Sequence, residues 1–117
     1  MLTVGTSKSL TIKYGPQLAK YADTYHIQAQ ALQDEPSKFL SYVKKMAGKL
    51  RDANPNLFID VQLSTHRSAA PGLTLEQTFE EDWNNCKPYV DGVTVFFGND
   101  STDELKTFVQ WFDAHGR

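Results

Sequence analysis

Alternate positions in two β-like stretches of this chain differ sharply in polarity, and that pattern restricts the folds open to it. In residues 24–31 (TYHIQAQA), Tyr25, Ile27 and Ala29 fall on one side and His26, Gln28 and Gln30 on the other, because successive strand residues point to opposite faces. Residues 57–64 (LFIDVQLS) repeat the contrast, with Leu57, Ile59, Val61 and Leu63 opposing Phe58, Asp60, Gln62 and Ser64. A softer version runs through residues 92–97, where Val93, Val95 and Phe97 oppose Thr94 and Phe96, and a fourth β-like run occupies residues 2–7.

Helix-period segments lie between and after these runs. Pro36 suits a first helical position, with Asp34 or Glu35 as the cap before it. Phe39, Leu40, Val43, Met46, Ala47 and Leu50 then form one apolar stripe, ended by Asn54-Pro55-Asn56. Thr74 and Gln77 have capping-box spacing ahead of the stripe Leu75, Phe79, Trp83 and Cys86, which Pro88 ends. Ser101 and Glu104 repeat that spacing ahead of Leu105, Phe108, Val109 and Phe112. Gly15-Pro16 breaks the first connection, so only a short helix is expected there, over residues 16–22. Alternating strands and helices are the mark of repeated βα units on a parallel sheet, so the chain is expected to be a single α/β domain over residues 1–117.

The polar strand face selects among α/β folds. Doubly wound sheets carry helices on both faces, and their strands read as nearly continuous apolar runs. Burying His, Gln and Asp under a second helix layer without partners would be costly. A barrel interior accommodates such residues better, since helices sit only outside and the inner side chains converge toward a mouth at the strand C-terminal ends. Four βα units are half of a (βα)8 TIM barrel. A half leaves two unpaired edges, which calls for a homodimer or a missing N-terminal half-barrel to close it. The alternative is a small open α/β sandwich with a solvated polar face.

Tyr14-Gly15-Pro16-Gln17-Leu18-Ala19, Tyr25-His26-Ile27-Gln28-Ala29-Gln30, Ala70-Pro71-Gly72-Leu73-Thr74 and Asp91-Gly92-Val93-Thr94-Val95-Phe96 together resemble the C-terminal half of microbial glycoside-hydrolase-like (βα)8-barrel proteins. The resemblance implies strands five to eight of a barrel and a mouth suited to a carbohydrate or another small polar ligand. Such hydrolases place Asp or Glu at the strand C-terminal ends. Here those ends carry Gln30, Ser64 and Phe97, so hydrolysis by this half alone is not expected.

Seven residues are therefore candidates for ligand contact: Gln28, Gln30, Gln62, Ser64, His66, Arg67 and Asn99. Amide and imidazole groups can hold sugar hydroxyls by paired hydrogen bonds. His66, Arg67 and Asn99 belong to loops after strands, where ligand contacts concentrate. His26 and Asp60 lie deeper and are expected in an internal hydrogen-bonded layer. Asp34, Glu35 and Asp100 are the carboxylates nearest the functional end, all at positions where helix caps belong.

Other chemistries find little support. His26, His66 and His115 are scattered, no metal-ligand spacing such as HExxH or CxxC occurs, and no cofactor is expected. Gly98-Asn99-Asp100 meets a helix start, but Asp100, Asp103 and Glu104 would repel a phosphate. The single cysteine, Cys86, excludes an intrachain disulfide and reads as a small buried hydrophobe. A formal net charge of −2 gives no support to nucleic acid or an anionic membrane as partner. No apolar run approaches the ~20 residues of a membrane span, and the first residues lack the pattern of a signal peptide.

Overall fold

The apolar alternates of the β runs define the buried side of a four-stranded parallel sheet. A computed structural model describes residues 1–65, 74–97 and 102–116 of the chain. Strands β1 (Thr3–Thr6), β2 (Thr24–Gln28), β3 (Phe58–Ser64) and β4 (Gly92–Phe96) pair in sequence order, all parallel. Right-handed crossovers in that order put every connecting helix on the same face. That face carries Tyr25, Ile27, Ile59, Val61 and Leu63, all essentially inaccessible to solvent. The opposite face leaves Thr24, His26, Gln28, Gln62 and Thr94 half-buried and Phe58 and Phe96 exposed.

The helices are α1 (Lys8–Ala19), α2 (Pro36–Ala53), α3 (Leu75–Thr78, continued by a π-helical turn Phe79–Asn84) and α4 (Thr102–Trp111, followed by a second π-helical turn Phe112–Gly116). Pro36 opens α2 as its sequence implies, and Phe39, Val43, Met46, Ala47 and Leu50 are buried along its stripe. Glu35 occupies the N-cap position, but its side chain caps nothing and instead pairs with Lys38 at 2.7 Å. Asn54 does more than stop the helix. Its amide donates to the Ala19 carbonyl at 2.9 Å and the Ala22 carbonyl at 3.1 Å, tying the end of α2 to the end of α1. The first capping box is formed: the Gln77 amide N–H donates to Thr74 Oγ1 at 3.1 Å, and the Thr74 N–H donates to Gln77 Oε1 at 2.9 Å. The Leu75 side chain and Ser101 lie outside the described residues. Phe79 and Cys86 are fully buried, and Phe79 packs edge-on against Phe108 with ring centroids 4.8 Å apart.

Three further expectations need correction. The first helix runs from Lys8, straight through Gly15-Pro16, instead of starting there. Pro16 removes one helical hydrogen bond, yet α1 is held by contacts that propensity ignores. Thr6 Oγ1 lies 2.6 Å from both Thr11 Oγ1 and Tyr25 Oη, and a Cβ at Gly15 would stand only 3.3 Å from Leu50 Cδ2. The glycine is what lets α1 approach the Tyr25–Leu50 surface. Second, β2 stops at Gln28, and Gln30 opens a 3-10 turn, Gln30–Leu32, so it is not a strand end. Third, Val109 is exposed and Phe112 only half-buried, while Trp111 is buried. Val109 is one helical step, about 100°, round from the buried Phe108, on a flank that no described element covers.

Candidate functional site

The polar face is organised in rows, because directly paired residues of a parallel sheet point the same way. Strand register places Gly5, His26, Asp60 and Gly92 in one row. Asp60 is buried, and its two oxygens are used separately. The His26 ring Nδ1–H donates to Oδ1, and the Thr94 hydroxyl donates to Oδ2 at 2.9 Å. Asp60 is thus the centre of an internal layer, as its position deep in β3 led us to expect. The glycines at both ends of the row leave room: a Cβ on Gly5 would come within 3.3 Å of His26 Cβ, and one on Gly92 within 3.2 Å of the Phe58 ring.

One step toward the strand C-terminal ends, Gln28, Gln62 and Thr94 form the next row, and beyond it Ser64 pairs with Phe96. Gln28 leans toward β1, its Nε2 being 3.5 Å from the point a Gly5 Cβ would occupy. Gln28 and Gln62 are both half-buried. The Phe96 ring is 51 % exposed on the same face. Two amides that donate and accept, beside an aromatic ring, can bind a molecule with hydroxyls on its edge and C–H bonds on its flat face.

Four of the sequence candidates can be placed. Gln28, Gln62 and Ser64 converge on the C-terminal half of the polar face. Gln30 does not join them, since it lies on the turn after β2. His66, Arg67, Asn99 and Asp100 lie outside the described residues. Ser64 is held from the side by a residue that pattern reading missed. Gln33 is fully buried, and its amide grips the Ser64 backbone from both ends, donating to the carbonyl at 3.0 Å and accepting from the N–H at 2.7 Å. β3 outruns β2 at this point, and the Gln33 side chain replaces the missing strand partner.

Asp82 is the second residue that escaped notice. It sits on the π-helical turn after α3, is 0 % exposed, and neither carboxyl oxygen has a hydrogen-bond partner among the described residues. Burial, followed by the charges of Glu81 and Asp34, pushes its pKa up to about 8. Its spacing from Phe79 and Trp83 puts it on the buried side of α3, the one available signal in the sequence. Such a carboxyl holds its proton at neutral pH, but full burial keeps it from touching a ligand. Burial, with a smaller push from Asp82, likewise drives the Cys86 thiol up to about 12, which fits an inert core residue.

Of the three carboxylates considered for catalysis, Glu35 is bound to Lys38, Asp34 is exposed on the turn before α2, and Asp100 is not described. Asp60 is committed to His26 and Thr94. No two carboxylates therefore flank the open polar face among the described residues, and no cluster of three or more metal-ligating side chains occurs among them. Among the described residues no helix is long and apolar enough to cross a membrane. Two grooves among the described residues, of about 440 Å³ beside Arg51 and Asp91 and about 350 Å³ between Lys8 and Tyr42, lie on the helix side. In comparisons with known proteins, the chain matches no family model, no curated sequence and no solved structure.

Proposed function

We propose that the chain is one half of a (βα)8 barrel of glycoside-hydrolase-like type, and that its polar sheet face receives a hydroxyl-rich ligand without hydrolysing it. One observation carries this reading. The face turned away from the described helices holds a hydrogen-bonded layer, His26–Asp60–Thr94, and above it the half-buried Gln28 and Gln62, with Phe96 in the following row. In a barrel, the C-terminal ends of the strands are where ligands bind. The amides would bridge adjacent hydroxyls, and Phe96 would cover the C–H face of a sugar ring. Cleavage of a glycosidic bond calls for two carboxyl groups placed across it, and this half offers no such pair.

Titrating isotopically labelled chain with a panel of neutral oligosaccharides tests the reading by NMR. Shifts should appear at Gln28, Gln62 and Phe96, and the double variant Gln28→Ala/Gln62→Ala should weaken binding by at least about tenfold, the worth of ~1.4 kcal/mol. Shifts confined to the helix-side grooves would overturn the assignment. So would glycosidase activity of the isolated chain that disappears with Asp34→Asn, Glu35→Gln or Asp100→Asn.

A further inference from the structure

We infer that what closes this sheet is a second copy of the same chain, related by a twofold axis so that β1 of each copy lies beside β4 of the other. The inference rests on the half-barrel reading above and names its partner. Both outer strands of the described sheet, β1 and β4, have one neighbour each. Open parallel edges invite pairing with another chain. A parallel junction of β4 with β1 simply continues the existing order, and making it twice yields eight strands with no edge left.

The helices support that geometry. On α1, Thr11, Gly15 and Ala19 face the core. At about 100° per residue, Ile12 falls on one flank of that line, where it shares a groove with Leu32 and Tyr42 of the α2 side. Leu10, Tyr14 and Leu18 fall on the opposite flank, beyond β1, and all three are exposed. In a closed barrel this flank is where the helix of the preceding unit packs. On α4, the exposed Val109 lies one step from Phe108 in the same rotational sense that takes Thr11 to Ile12, on the flank where the helix of a following unit packs. Leu2, at the start of β1, is exposed as well. The apolar surface on the outer flanks of α1 and α4 thus lies where the two junctions of a twofold barrel would need it.

The area is adequate. Taking roughly 200 Å² for a large side chain, the five residues Leu2, Leu10, Tyr14, Leu18 and Val109 are on average a little under half exposed and offer roughly 450 Å² per copy. Two strand edges add backbone to that, against roughly 800 Å² per partner in a stable interface. A twofold arrangement is closed, so the same flanks are used up in the dimer and no filament grows.

Sedimentation velocity of the full chain over a wide concentration range provides the test. A discrete dimer is expected. Tyr14→Glu/Leu18→Glu should raise its dissociation constant at least about a hundredfold, and Val109→Glu, on the α4 side of each junction, at least about tenfold. Ile12→Glu is the control: Ile12 is 53 % exposed but sits on the α2 flank, and its substitution should leave the dimer intact. All four positions are exposed, and circular dichroism confirms whether each variant folds. If the α1 double variant fails to fold, Val109→Glu decides. A monomer at every concentration, an open-ended assembly, or disruption by Ile12→Glu equal to that by Tyr14→Glu/Leu18→Glu would overturn closure by a second copy. A monomer that still shows oligosaccharide shifts at Gln28 and Gln62 would overturn the dimer alone. A dimer without those shifts would support closure and overturn the ligand assignment.

Discussion

Two buried side chains show how single residues shape this molecule. Gln33 bonds a backbone N–H and a carbonyl of Ser64, beyond the last paired residue of β2. Gln33→Ala should therefore cost roughly 2–4 kcal/mol, since it strands two buried backbone groups and leaves a cavity. Urea unfolding measures this, and a change of a few tenths would mean that water replaces the amide. Asp82 is the opposite case, a buried carboxyl with no hydrogen-bond partner among the described residues. Its folded pKa of about 8 exceeds the unfolded value near ~3.9. The folded state thus holds an extra proton between those limits, so stability falls as pH rises through the window and levels off above it. Asp82→Asn should match the wild-type chain near pH 4, be more stable by roughly 2–4 kcal/mol at pH 7, and gain slightly more by pH 9. Thermal or urea unfolding at the three pH values reads the difference, and a gain that does not vary with pH would contradict it.

Element by element, periodicity revealed what local chemistry controls and hid what distant contacts control. The α2 stripe, its Pro36 start and the Thr74–Gln77 box were all legible, because each depends on residues within a few positions of one another. The length of α1 was not, because Gly15 works through Leu50 and Tyr25, far along the chain. The end of β2 was hidden for the same reason. The alternation of residues 24–31 continues through Gln30, but the chain turns after Gln28 so that Gln33 can reach Ser64. Of the candidate site, Gln28, Gln62 and Ser64 were readable from strand period, whereas for Phe96 that period gives only a place opposite Val93, Val95 and Phe97. The helix stripes also make a graded prediction. Phe39→Ala and Phe79→Ala should each cost about 3–5 kcal/mol, because both rings are fully buried. Val109→Ala, measured on dilute chain, should cost less than about 0.5 kcal/mol. Equal costs for Phe79 and Val109 would contradict the flank assignment on α4.

At the scale of the whole molecule, a four-stranded sheet with one dry face and one polar face has two ways to meet water. It can stay open, with the polar rows solvated and both edges bare, or it can close and turn the polar rows into a lining. The His26–Asp60–Thr94 layer and the apolar flanks of α1 and α4 favour closure. Amide hydrogen exchange, followed by mass spectrometry at low and high chain concentration, reads the edges directly. Closure by a second copy predicts that protection of β1 (Thr3–Thr6) and β4 (Gly92–Phe96) rises together with concentration, while the already paired β2 and β3 change little. Protection that rises at one edge alone, or at neither, would contradict it.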